Sequence, residues 1–173
     1  MSAHHRKMSA AVLVLVAACG PVGGPASSTA AEDGDITGNG RISPYADHAA
    51  LRRLDPDLLA AVRKAADDAK AAGVEVGVTS GWRSKEYQQR LLDQAVVNYG
   101  SLDEARRFVS TPDTSAHVSG KAVDIGPTDA ADWVGRHGNA YGLCQVYSNE
   151  MWHFELLTTP GGECPPQRGD AAG

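Results

Sequence analysis

The reading of this chain turns on Ser115-Ala-His117-Val-Ser-Gly120-Lys-Ala-Val-Asp124-Ile125. Its second half, Lys121–Ile125, reads as a strand with Ala122 and Asp124 on one face, because successive strand residues point to opposite sides. His117 and Asp124 lie seven positions apart and can meet only if the chain turns between them. Gly120 is placed to allow that turn. A second patch, Glu150-Met-Trp152-His153, stands at the mouth of another strand-like run. Together the two patches offer His117, Asp124 and His153, a set of ligands suited to a catalytic zinc that keeps its fourth position for water. Glu150 is then the unliganded carboxylate able to take a proton from that water. Residue types alone leave this open, since a lone His is more often surface or core than ligand.

Outward from this stretch the punctuation is clear. Asp55-Pro56 supplies an N-cap and a first-turn proline, and Leu58, Val62, Ala65 and Ala69 then share a helical face until Gly73. Val74, Val76 and Val78 alternate with Glu75, Gly77 and Thr79 as in a half-buried strand. Ser84 is placed to cap a second helix, lined by Tyr87, Leu91 and Ala95 and ending near Gly100. Ser101-Leu-Asp-Glu104 is a capping box for a short third one. A loop with Pro112 leads to the Lys121–Ile125 strand. A short helix near Asp129–Val134 and strand-like runs at Leu143–Tyr147 and Trp152–Leu157 follow. Strands and helices mix without regular alternation, which predicts an α+β fold: one domain with a mainly antiparallel sheet and flanking helices.

The chain has 173 residues, with 42% aliphatic, sulfur and aromatic residues and 21% charged ones, values of a folded domain. Lys+Arg is 16 against Asp+Glu 21, a formal net charge of −5 with no basic run, so no nucleic-acid surface is expected. His4, His5, Arg6 and Lys7 precede the apolar run Ala10–Ala18 and Cys19. Nine residues rise only about 14 Å as a helix, too short to span a bilayer. A positive start, a short apolar middle and a small-residue exit describe a secretory signal over 1–18. Val16-Ala-Ala-Cys19 resembles the bacterial lipobox, in which the cysteine is lipidated; an ordinary signal cut near Ala30 is the alternative. Residues 19–41 read as a Gly/Pro/Ser/Ala-rich tether, 42–165 as the folded domain and 166–173 as a disordered tail. Export places Cys144 and Cys164 in an oxidising setting with each other as the obvious partner, against two free buried thiols. The expected location is extracytoplasmic, with membrane contact through a lipid anchor only. The chain is read as a monomer.

Ser-x-His-x-x-Gly-x-Ala-x-Asp at 115–124, Glu-x-x-His at 150–153, and Ser80-Gly-Trp-Arg83-Ser84 before them resemble the VanY-type D-alanyl-D-alanine carboxypeptidases. These are zinc peptidases sharing a fold with hedgehog-type domains. The three blocks stand in the family's order, and the resemblance covers roughly residues 42–160. It implies one zinc held by His117, Asp124 and His153, Glu150 as catalytic base, and peptidoglycan stem peptides as substrate. Arg83 corresponds to an arginine that stabilises the developing oxyanion or grips the peptide's terminal carboxylate. Trp82 stands where the family has tyrosine. The Cys144–Cys164 pair looks like the bridge of secreted members. Cleavage of L-Ala–D-Glu or other stem bonds at the same site, and a non-catalytic cell-wall or partner-binding domain, are the alternatives.

Weaker candidates surround the site. Ser115 and Ser119 flank His117 and are read either as substrate or ligand contacts or as loop hydroxyls. Gln88, one turn beyond Ser84, reaches either the cleft or solvent. Trp152 is read either as packing under His153 or as a substrate contact. His48 and His137 are ordinary polar positions, and Lys85, Glu86, Arg106 and Arg107 are solvated helix faces. Stem-peptide preference is assigned to cleft loops, chiefly Asn98–Thr114.

Overall fold

The computed structural model describes residues 31–37 and 40–172. The expected signal segment, its Arg6, Lys7 and the lipidation candidate Cys19 lie outside the described residues. Helix α1 (Ala49–Arg52) is capped by His48, whose side chain accepts from the Ala50 amide. Helix α2 (Pro56–Ala71) begins where expected: the Asp55 carboxylate accepts from the amides of Asp57 and Leu58, satisfying donors that the first turn leaves free. Its face Leu58, Val62, Ala65 and Ala69 is buried.

Four strands follow in the spatial order β1 (Gly77–Ser80), β2 (Ala122–Gly126), β4 (His153–Leu156), β3 (Leu143–Gln145), every pair antiparallel. The α+β expectation holds. The valine-rich strand starts three residues later than its alternation implied. Val78 pairs with Ile42 on one side and Ile125 on the other, while Val74 only packs at the edge of the core.

One face of the sheet carries the core. Val123, Ile125, Leu143 and Phe154 pack against α2 and against Ala130, Ala131 and Val134 of α5 (Thr128–His137). The alternation that turns Val123 and Phe154 to this layer turns Asp124 and His153 to the opposite face. There α3 (Lys85–Tyr99), capped by Ser84, and α4 (Leu102–Arg106), capped by Ser101, form a second, smaller cluster around Leu92, Ala95 and Ala105. The buried line of α3 is Gln88, Leu92 and Ala95, one position round from the expected Tyr87, Leu91 and Ala95. Tyr87 turns instead to donate to Asp35 at 3.0 Å; burial and then this bond push its phenol up to about 12.

That contact corrects the extent of the tether. Asp33 pairs with Arg90 at 2.9 Å, its carbonyl accepts from the Ser84 amide, and Ile36 packs on the core, so 31–37 is part of the folded body. The end of the chain is corrected too. Arg168 forms a parallel bridge with Tyr147, and Asp170 pairs with Arg107 at 2.9 Å. Residues 166–172 are thus a strap across the sheet end, not a loose tail. Cys144 and Cys164 form the disulfide. Among the described residues no helix is long and apolar enough to cross a membrane.

Candidate metal centre

The register of β2 on β4 sets Asp124 directly opposite His153. The third residue, His117, arrives from a tight turn. Gly120 sits at φ +71°, and its carbonyl accepts from the Asp55 amide. A β-carbon there would lie 2.5 Å from the Arg53 carbonyl oxygen, so both the backbone sign and the space demand glycine. The expected turn is confirmed, and it returns the chain so that His117 faces the strand pair.

The three side chains form a nearly regular triangle. His117 Nε2 lies 3.2 Å from His153 Nδ1 and 3.3 Å from Asp124 Oδ1, and His153 Nδ1 lies 3.2 Å from the same oxygen. Donors bound at about 2.0–2.1 Å to a tetrahedral ion stand about 3.3 Å apart, so the triangle has the edge that zinc requires. The outer atoms settle the tautomers. His117 Nδ1 donates to the Gly81 carbonyl at 2.8 Å, and His153 Nε2 donates to Glu155 Oε1 at 3.2 Å. His117 therefore turns its Nε2 lone pair inward, and His153 does the same once its Nδ1 proton leaves, each ring being held from outside by a second partner. All three residues are buried. Among the described residues this is the group of donors able to hold a metal.

Charge follows this geometry. Burial works against the charge of Asp124, but the two imidazoles and Arg83 hold its carboxyl well below the usual range. Burial and then the neighbouring Arg83 push His117 down. For His153 burial is outweighed by hydrogen bonds to Asp124 and Glu155, which push it up to about 9. Without a metal, a proton on His153 is the cation in the triangle.

Glu150 lies beside it, 7% exposed, with Oε2 3.9 Å from His153 Nδ1. Its Oε1 is buried with no hydrogen-bond partner among the described residues. Burial pushes the carboxyl up to about 7, aided by the charge on Asp124. Orphaned buried acceptors are uncommon in folded proteins and mark functional positions.

Arg83 is fixed at three points. Its Nε donates to Ser80 Oγ at 2.8 Å, one terminal nitrogen to Gln88 Oε1 at 3.1 Å and the other to Asp124 Oδ2 at 3.0 Å. It therefore orients the Asp124 carboxylate, a contact that sequence reasoning did not anticipate. Gln88 is buried rather than solvated and also donates to the Ser110 carbonyl at 2.8 Å. Trp152 does not pack under His153; it is 44% exposed, and the ring against His153 is Tyr147, with centroids 5.0 Å apart. Trp152 and buried Ser115 line a cleft of about 510 Å³ together with Arg83, Gln88, Glu150 and the triangle. Ser119 lies outside it, exposed and bonded to the Ala116 carbonyl. Asn98, Tyr99, Phe108, Val109 and Ser110 of the expected cleft loop form the far wall. His137 stacks on Trp133, away from the site.

Glu155 was missed, although its place two residues after His153 on a strand was a readable signal. The Gly81 carbonyl was not readable, since backbone acceptors carry no side-chain signature.

An antiparallel sheet presenting two imidazoles and a carboxylate beside an unpartnered carboxylate is the arrangement of metal-dependent hydrolases. The family model described as VanY, D-alanyl-D-alanine carboxypeptidase, matches residues 51–158, and the chain belongs to this family of peptidases. A D-alanyl-D-alanine carboxypeptidase of Enterococcus faecalis is 30% identical over 53% of this chain and 43% of its own length. The chain thus spans less than half of that relative. The vancomycin-resistance D,D-pentapeptidase VanY in complex with Zn(II) superposes with a TM-score of 0.57 and 26% identity, covering 61% of this chain and 73% of that one. VanYB in complex with D-alanine-D-alanine gives 0.57 and 28%, covering 61% and 72%. The LdcB LD-carboxypeptidase gives 0.53 and 25%, covering 60% and 59%.

Proposed function

We propose that this protein is a zinc-dependent D-alanyl-D-alanine carboxypeptidase that removes the terminal D-alanine from peptidoglycan stem peptides. One observation carries the reading: three inward-facing nitrogen and oxygen atoms about 3.2 Å apart, next to a buried carboxylate oxygen with no partner among the described residues. His117, Asp124 and His153 are the residues to hold one zinc, which supplies Lewis-acid polarisation and hydroxide near neutral pH when bound. Glu150 is the general base. Its carboxyl, pushed up to about 7, can take a proton at Oε1 and return it to the leaving D-alanine amine within the same cleft.

Arg83 holds Asp124 Oδ2 and leaves Oδ1 facing the two imidazoles, and its remaining N–H groups are the donors available to substrate oxygen. Ser115 and Trp152 line the cleft as substrate contacts. The reading carries with it an exported protein, anchored through Cys19, acting on the cell wall outside the membrane.

The test is D-alanine release from an acyl-D-Ala-D-Ala peptide by the purified protein loaded with zinc. No release from this or any other stem peptide refutes the enzyme reading. The likeness to LdcB, an LD-carboxypeptidase, favours a second reading on the same site, removal of a terminal D-residue that follows an L-residue in the stem. Mass spectrometry of digested muropeptides separates the two by the stem that shortens.

A further inference from the structure

A second cavity of about 350 Å³ opens directly beyond the cleft and shares Ser110, Ala116, Tyr147 and Ala171 with it as common wall. Its own lining is polar: Arg106, Arg168, Thr114, Ser119 and, at the inner end, Glu155. Glu155 is occupied by His153 Nε2. Arg168 lies over the Tyr147 ring, 4.8 Å from its centroid, and donates to the phenol oxygen at 3.2 Å. Its other terminal nitrogen makes no hydrogen bond among the described residues.

Arg106 differs from every arginine around it. The next residue, Arg107, is held by Asp170 and Glu104. Arg106 is half-buried, faces the cavity, and has no ion pair or hydrogen bond of its guanidinium among the described residues. A partly desolvated guanidinium without an anion is a costly arrangement that an incoming carboxylate relieves, and its fork suits a carboxylate bidentately. Two arginines against one already engaged carboxylate leave the cavity with a positive excess.

We propose that this cavity is a carboxylate subsite of the same cleft, in which Arg106, supported by Arg168, receives a free carboxylate of the stem peptide on the acyl side of the cleaved bond. The inference rests on the peptidase reading above and adds a substrate class to it: stems bearing an unamidated acid close to the D-alanine end. An extended peptide advances about 3.3–3.6 Å per residue, so a side chain one or two residues from the cleaved bond spans from the cleft into an adjoining cavity.

The experiment compares two acyl tripeptides ending in D-Ala-D-Ala that differ only in the residue before it: one with a free side-chain carboxylate, the other with the same group amidated. The zinc-loaded wild-type protein should cleave the acidic peptide with a kcat/KM about 5–10-fold higher, through KM. Arg106→Gln should abolish that preference by raising KM for the acidic peptide alone, with the amidated peptide and the zinc content unchanged. Arg106→Lys should restore part of it, and added salt should erode the wild-type preference. Equal cleavage of both peptides by wild type overturns the subsite while leaving the peptidase reading intact. Equal losses on both peptides in Arg106→Gln overturn it as well, since they mark a structural role. Cleavage of neither peptide strikes at the peptidase reading instead.

Discussion

Replacing Glu150 by glutamine should make the protein a far worse enzyme and a more stable metal-free protein. Burial raises this carboxyl from 4.5 to about 7, so folding favours its neutral form. At about 1.36 kcal/mol per unit, keeping it ionised at pH 8 costs roughly 3 kcal/mol, and about 2 kcal/mol after allowing for partial hydration. The sign is fixed by linkage. The cost is absent below 4.5, where both states are protonated, and complete above about 7, where both are ionised.

Glutamine keeps the shape and carries no charge, so metal-stripped Glu150→Gln should melt about 6–8 °C above wild type at pH 8. The gap should shrink to about a quarter at pH 5. Loss of a general base typically removes 10²–10⁴-fold of the rate, while zinc content should stay the same because Glu150 is outside the triangle. The assays are thermal melts of the stripped proteins at both pH values and D-alanine release by the loaded ones. A variant that turns over at the wild-type rate, or gains no stability at pH 8, refutes the reasoning.

Zinc binding near pH 7.5 should release close to one proton per ion from His153, which is pushed up to about 9 and must give up its Nδ1 proton, besides the proton lost by the water that zinc activates. Calorimetry in two buffers of different ionisation enthalpy measures this, and the His153 share of the release should disappear above about pH 9. The same group stabilises the metal-free fold below pH 6.5, and that contribution is lost as pH rises through about 9. Gln88→Ala should cost about 2 kcal/mol in denaturant melts, since it strands the Ser110 carbonyl and one Arg83 nitrogen, and zinc affinity should fall with it. Replacing Cys144 and Cys164 by serine should lower stability by about 3 kcal/mol, the loop-closure value for a bridge spanning 20 residues. An unchanged melting curve would contradict that account.

The readable parts of this protein are those where local chemistry fixes the outcome. Asp55-Pro56 and Ser84 cap their helices because the first-turn amides need an acceptor at those positions. The strand holding Asp124 follows from side-chain alternation, and the turn at Gly120 follows from a backbone that only glycine adopts easily. The harder parts depend on what comes from far along the chain. Tyr87 could not be turned outward without knowing that Asp35 lies over that flank of α3. The terminal segment 166–172 looks like tail by composition, yet its backbone pairs with Val146 and Ser148. Arg106 and Arg107 are identical neighbours in sequence; Glu104 on the same helix and Asp170, 63 positions on from Arg107, separate a satisfied arginine from a free one.

The triangle itself explains why its supports are spread so widely. With both outer ring nitrogens carrying the protons, a neutral His153 leaves two lone pairs and a carboxylate oxygen about 3.2 Å apart, which repel one another unless a shared cation lies between them. The fold counters that repulsion from outside. Gly81 after β1 and Glu155 on β4 pin the outer ring nitrogens, and Arg83 pins the outer oxygen of Asp124. The neighbouring backbone is under the same constraint, because a β-carbon on Gly81 would lie 2.3 Å from the Ala50 carbonyl oxygen. The three candidate ligands are therefore oriented by the fold itself, at a cost that a proton on His153 offsets only in part. Metal removal should then loosen the two segments that lack ladder bonds of their own, the 115–121 turn and the 149–151 turn, before the sheet. Hydrogen exchange with and without zinc reads this directly. Faster exchange confined to those turns agrees with a preorganised centre, and uniform loosening of β2 and β4 would show that the metal, not the outer partners, holds the ligands in place.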